Sequence, residues 1–237
     1  FRRNVTADQQ TIIAGLVSDV LNESVTSNDI ITWLDYGQDT VSESTWIIDP
    51  IDGTRGFIEK GTYVIAVGLV EGGFAAGGVL GCPTVGEGEL LVAWDGNAYR
   101  GALHPPAANL PDLTEIQVSA RSIGDQLFVA DSGSRTDSPT SQRLKEVFRF
   151  GEPLTVRVYA QLEIYVRIAR GDADLFVCKP VTRCSNKVWD HAAGVALVEA
   201  AGGVVTDFDG NPLNFSNGDH LHSNGIAASN GRLHDYL

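Results

Sequence analysis

Methionine is missing from all 237 residues, the first position included, where about five would be expected at an average usage near 2%. The sequence is therefore read as part of a longer protein. Cysteine is scarce: Cys82, Cys178 and Cys184 form an odd set without C-x-x-C spacing, which predicts free thiols in a reducing compartment. No apolar run reaches the ~18 residues of a membrane span, and "FRRNVTADQQ" lacks the apolar core of a signal peptide. A cytoplasmic protein with no membrane partner is the expectation. Positive charge is also short, with 17 Lys and Arg against 30 Asp and Glu and a net charge of −13. That excludes a nucleic-acid polymer as partner, because phosphate backbones demand clustered cations. A small anionic ligand would need a metal ion or a local positive pocket.

What is present is ordinary for a globular chain, 43% hydrophobic and 20% charged. Ile12, Ile13, Leu16, Val17, Val20 and Leu21 recur at helical spacing. "SNDIITWLDYG" predicts a helix capped at Ser27 or Asn28. "YVIAVGLVEGGFAAGGVLGCP" predicts two buried strands turning at Glu71-Gly72-Gly73, and "GELLVAWDGNAYRG" a hairpin turning at Asp95-Gly96-Asn97. The later segments "QLFVAD", "SPTSQRLKEVF", "LTVRVY", "QLEIYVRIARG", "ADLFVC", "WDHAAGVALVEAAGG", "VVTDF" and "GIAAS" alternate strand and helix, apart from the final pair of strands, which predicts an α/β fold. The Pro-rich stretch 104–113 suggests a boundary. It divides an N-terminal α+β part, 1–107, from a C-terminal α/β part, 108–237. Trp33, Trp46 and Trp189 are expected in the core, and His220 and His222 in a solvated loop.

The informative stretch is "WIIDPIDGT". A strand delivers Asp49 to its carboxyl end, Pro50 stiffens the turn, and Asp52 faces the same space. With the Ile51 carbonyl, the two carboxylates form a hard-oxygen cage suited to Mg2+. Gly53 admits close approach of a ligand, and Thr54 begins a helix whose free amides can face an anion. Alone, this D-x-x-D reads equally as a solvated turn. Asp190 in "KVWDHAAG" reads alone as a helix cap. Together they are far more specific.

"WIIDPIDGTRGF" and "KVWDHAAGVALVEAAGGVVTD" resemble the two signature motifs of the inositol-monophosphatase superfamily of magnesium-dependent, lithium-sensitive phosphatases. "VIAVGLVEGG" followed by "GVLGCP" is most similar to its 3'(2'),5'-bisphosphate nucleotidases. The resemblance runs from about residue 27 to the C-terminus. It implies a layered α-β-α-β-α sandwich of the sugar-phosphatase type, a monomer or homodimer, and Mg2+ held by Asp49, the Ile51 carbonyl, Asp52 and Asp190. It implies a small phosphorylated substrate, with the scissile phosphate held by Gly53 and Thr54 beside Asp190, and water oriented by Thr54 and activated at Asp49. The reaction implied is removal of the 3'-phosphate from adenosine 3',5'-bisphosphate. An inositol or sugar phosphate, or ligand binding without hydrolysis, stand as alternatives. The family's upstream Gly-Glu-Glu segment and Val-Thr-x-Ala-Asp run are not cleanly matched; Glu43 in "VSEST" and Asp8 in "NVTADQQ" are the candidate substitutes. By the resemblance, Ile164 and Cys178 stand where a pocket Lys and Arg are expected, with Arg183 and Lys187 nearby to compensate. His191 is expected to be structural.

Overall fold

The computed structural model describes residues 5–36, 42–104, 112–131, 154–178 and 187–237. Contacts within the chain cluster into two units, Phe1–Ser42 and Glu43–Leu237. The boundary expected at 107–108 and the helix expected in "SPTSQRLKEVF" lie outside the described residues.

In the first unit, α1 (Ala7–Leu21) and α2 (Ser27–Asp35) each open with a reciprocal capping box. The α2 cap is Thr26 rather than Ser27 or Asn28. Asp29 reaches back to the Thr26 amide at 2.8 Å, and the Thr26 hydroxyl accepts the Asp29 amide. Trp33, expected in the core, is 52% exposed on α2.

The second unit is built on two sheets. The first is a six-stranded antiparallel meander in sequence order: β1 (Ser44–Asp52), β2 (Val64–Glu71), β3 (Phe74–Cys82), β4 (Glu89–Trp94), β5 (Asn97–Ala102) and β6 (Thr114–Glu115). Both anticipated hairpins form. Gly72 and Gly73 turn one, and Asp95 and Gly96 the other, all four at the positive φ that a two-residue hairpin turn requires.

The second sheet orders β10 (Val204–Thr206), β11 (Ile226–Ser229), β9 (Leu175–Cys178), β7 (Phe128–Asp131) and β8 (Leu154–Arg157), with β7 parallel to β8 and β9. Helices α4 (Gln161–Ala169) and α5 (Ala192–Ala200) pack on each other and reach strands of both sheets. This gives the β-α-β interior of an α/β sandwich. No helix among the described residues is long and apolar enough to cross a membrane.

Every residue from Ala192 to Val198 is buried, so α5 is apolar all round, as a helix enclosed between sheets must be. It lies close because β2 and β3 present glycine where it crosses. A Cβ at Gly68 would stand 2.9 Å from the Ala193 amide, and one at Gly78 would stand 2.9 Å from the Ala193 Cα. The opposite face of this sheet carries Trp46, Ile48, Val79 and Trp94, all exposed. Trp46, also expected in the core, is 60% exposed because strand alternation turns it away from Ile47 and Asp49. Trp189 is partly buried against the core, as expected.

The reading of three free thiols is corrected. Cys178 is disulfide-bonded, whereas Cys82 is free and buried; Cys184 lies outside the described residues. Burial pushes the Cys82 thiol up to about 12, assisted by Glu163 and Glu89, so it is chemically inert.

The glycine contact yields a test. Gly78→Ala should destabilise the protein by roughly 1–3 kcal/mol, the usual cost of overpacking, because the obstructing atoms are helix backbone. Urea unfolding measures it, and an unchanged midpoint would contradict the close approach of α5.

Candidate metal centre and active site

The site begins with a register break. Asp49 pairs with Ala66 and Asp52 with Val64, so three steps on β1 match two on β2. In a regular strand, residues three apart face opposite sides. The extra residue of this bulge turns Asp49 and Asp52 to the same, inner side, where they are 8% and 5% exposed. The acidic pair thus sits on an edge strand of an antiparallel sheet, not at the end of a parallel strand.

Asp190 arrives on a separate element, the 3-10 turn Val188–Asp190 that leads into α5. It was expected at the start of the helix; it lies just ahead of it, and His191 is the capping residue. The turn is carried against β1 by the close seating of α5. Carboxylate oxygens of Asp49, Asp52 and Asp190 all lie within 4.8 Å of one another. This is the one buried metal-competent cluster among the described residues.

Backbone amides hold two of the three. Asp49 Oδ1 accepts the Ile51 amide at 3.0 Å. Asp52 Oδ2 accepts the Leu162 amide at 2.5 Å. Asp52 therefore caps α4 from outside, and the helix's own capping residue, Ala160, supplies no side-chain bond. Gly53 (φ 80°) makes this possible, since a Cβ there would press to 2.8 Å from the Ala160 Cβ.

These bonds do not offset the crowding. Burial raises Asp49. Burial and the Asp49 charge push Asp52 to about 6 despite its amide bond. Burial and the two neighbouring aspartates push Asp190 to about 7, Lys187 acting more weakly in the opposite sense. Three carboxylates crowded into one buried space, all shifted up, are hard-oxygen donors short of positive charge. They fit a hard dication such as Mg2+.

The other anticipated residues divide. Thr54 is exposed at the start of the short helix α3 (Thr54–Lys60), and its hydroxyl donates to the Ile51 carbonyl at 3.3 Å. Glu43 precedes β1; six residues of strand at ~3.3 Å each place it about 20 Å from Asp49. Asp8 is exposed in the first turn of α1, in the first unit. Ile164 is wholly buried. Lys187 is engaged by Asp219 at 2.5 Å and lies over the Trp189 ring at 5.1 Å; Arg183 lies outside the described residues. His220 and His222 are exposed, with His220 bonded to Asp219 at 2.6 Å.

Two contributors escaped the sequence reading. One is the Leu162 amide, a backbone group with no residue-type signal. The other is Tyr165, whose hydroxyl lies 2.8 Å from His191 Nδ1 in the core. His191 is itself fully buried, consistent with the structural role expected of it.

The inositol monophosphatase family model matches residues 4–237, so the likeness extends upstream of residue 27 through α1. Among curated proteins, the chain is 32% identical to a probable 3'(2'),5'-bisphosphate nucleotidase 4 of Arabidopsis thaliana, over 90% of this chain and 63% of that protein. It is 31% identical to the 3'(2'),5'-bisphosphate nucleotidase of Dictyostelium discoideum, over 97% and 72%. The chain thus spans about two thirds of the length of these relatives. Among solved structures, an IMPase from Thermotoga maritima superposes with a TM-score of 0.61 at 26% identity, covering 88% of this chain and 76% of that one. CysQ from Bacteroides thetaiotaomicron shares the fold at a TM-score of 0.67 and 20% identity, over 86% and 82%.

The raised carboxylates set a pH dependence. The folded metal-free protein keeps protons on Asp190 and Asp52 that the unfolded chain releases near 3.8. Their contribution to stability is full below about pH 4 and is lost as pH rises through about 6 and 7. In chelator, the melting temperature should fall over that window, and Asp190→Asn should flatten the fall. Identical profiles for the two proteins would refute the account.

Proposed function

From the inositol monophosphatase family, to which this chain belongs, we propose magnesium-dependent hydrolysis of a phosphomonoester. The substrate we favour is adenosine 3',5'-bisphosphate, losing its 3'-phosphate. The observation that carries the reading is the convergence of Asp49, Asp52 and Asp190 from two distant motifs into one buried cluster. The two nucleotidase relatives support the substrate class.

In this reading Asp49, Asp52, Asp190 and the Ile51 carbonyl hold Mg2+. When bound, the metal supplies an acidified water and neutralises charge on the leaving oxygen. Gly53 and Thr54 offer backbone amides to the phosphate, Asp190 borders it, and the Thr54 hydroxyl, now on the Ile51 carbonyl, orients the attacking water. Lys187 joins the substrate pocket only by leaving Asp219.

A second reading, ligand binding without hydrolysis, is favoured by one observation. Glu43, a candidate for the family's upstream Glu, is a strand's length from the triad.

Phosphate release from adenosine 3',5'-bisphosphate and inositol 1-phosphate, with and without Mg2+, decides between them. Release should require Mg2+, favour the bisphosphate and be inhibited by Li+. Asp190→Asn should abolish it, whereas loss of a mere cap would cost ~1 kcal/mol of stability and leave turnover intact. Chelator-resistant release would reject the metal reading, and no release from any ester would establish the second.

A further inference from the structure

We propose that Tyr165 is a positioning residue for the carboxylate triad, acting through His191, and that α4 braces the site at two points one helical turn apart. The inference rests on the triad being a metal site.

The first point is the Leu162 amide, which Asp52 accepts at 2.5 Å. The second is Tyr165, three residues on, whose hydroxyl bonds to His191 Nδ1 at 2.8 Å. His191 follows Asp190 directly and opens α5: its amide donates to the Val188 carbonyl at 3.2 Å, and its carbonyl accepts the Val195 amide at 2.8 Å. The backbone that aims Asp190 is thus closed by His191, and the His191 ring is fixed by Tyr165. Three residues of helix advance about 4.5 Å. The elements that carry Asp52 and Asp190 are thus both tied to the same turn of α4.

Packing alone does not account for the pair. Tyr165 and His191 are both fully buried and meet edge to face at 5.9 Å between centroids. Two apolar residues of similar shape would fill the space without the desolvation of a phenol and an imidazole. The chain also gives up a side chain to admit the ring, since a Cβ at Gly194 would overlap Tyr165. A hydrogen bond in this setting fixes direction more than it adds stability, and direction is what a metal ligand needs from its surroundings.

The test uses the full chain and needs no substrate. Mg2+ and Mn2+ binding is measured by calorimetry, and stability in chelator by urea unfolding. Tyr165→Phe keeps the ring and removes the hydroxyl; it should weaken both cations by about 10-fold or more, the range found when groups supporting metal ligands are lost. His191→Asn keeps a hydrogen-bonding atom near the Nδ1 position and should bind far more tightly than His191→Leu. Leu233→Val, in the separate small core cluster, should lose stability yet bind as wild type. Wild-type affinity in Tyr165→Phe, or equal loss in both His191 variants, would overturn the brace while leaving the metal site standing. A wild-type protein that binds neither cation would overturn the metal reading and the brace with it.

Discussion

Three carboxylates in one small buried space repel one another unless a cation lies among them, and this constraint organises the second unit. Its force is clear beside a buried carboxylate outside the cluster. Asp174 is fully buried, yet it accepts Arg121 Nε at 2.8 Å and the Phe128 amide at 2.6 Å, with the Ser119 hydroxyl as a further donor. That group is compensated by protein and joins two segments of chain. The triad receives amides but too little positive charge, so the protonated state is favoured over the usual range of a carboxylate. A structure that holds such a cluster together does so against repulsion, and the surrounding elements supply the restraint.

The restraint comes from close backbone approach. Glycine at 68 and 78 lets α5 lie on the sheet and carry Asp190 to β1. Glycine at 53 lets the acidic loop meet the chain ahead of α4, where Asp52 accepts the Leu162 amide. The bulge between Asp49 and Asp52 turns both inward. Together these devices bring the three carboxylates into one cluster.

Much of this was legible in the sequence for identifiable reasons. The hairpins announce themselves through Gly72-Gly73 and Asp95-Gly96, since few other residues take those dihedrals. Asp49, Asp52 and Asp190 stand out because the two acidic motifs occur together, which is far more specific than either alone. What escaped is relational. Trp46 resembles a core residue until one knows which face of β1 is covered. The disulfide at Cys178 has no spacing signature. The amide of Leu162 belongs to no residue type, so only coordinates show that Asp52 caps a helix 110 residues away.

Asp52 thereby answers to two employers. One oxygen terminates a helix, and the carboxylate as a whole belongs to the acidic cluster. Asparagine would keep an acceptor for the helix and forfeit the charge. Glutamate would keep the charge and carry it one methylene beyond the amide. Alanine would surrender both. Position 52 has an alphabet of one letter, and a search for natural or engineered variation in this site should expect to find it at the rim, around Tyr159 or Trp189, while this aspartate stays fixed.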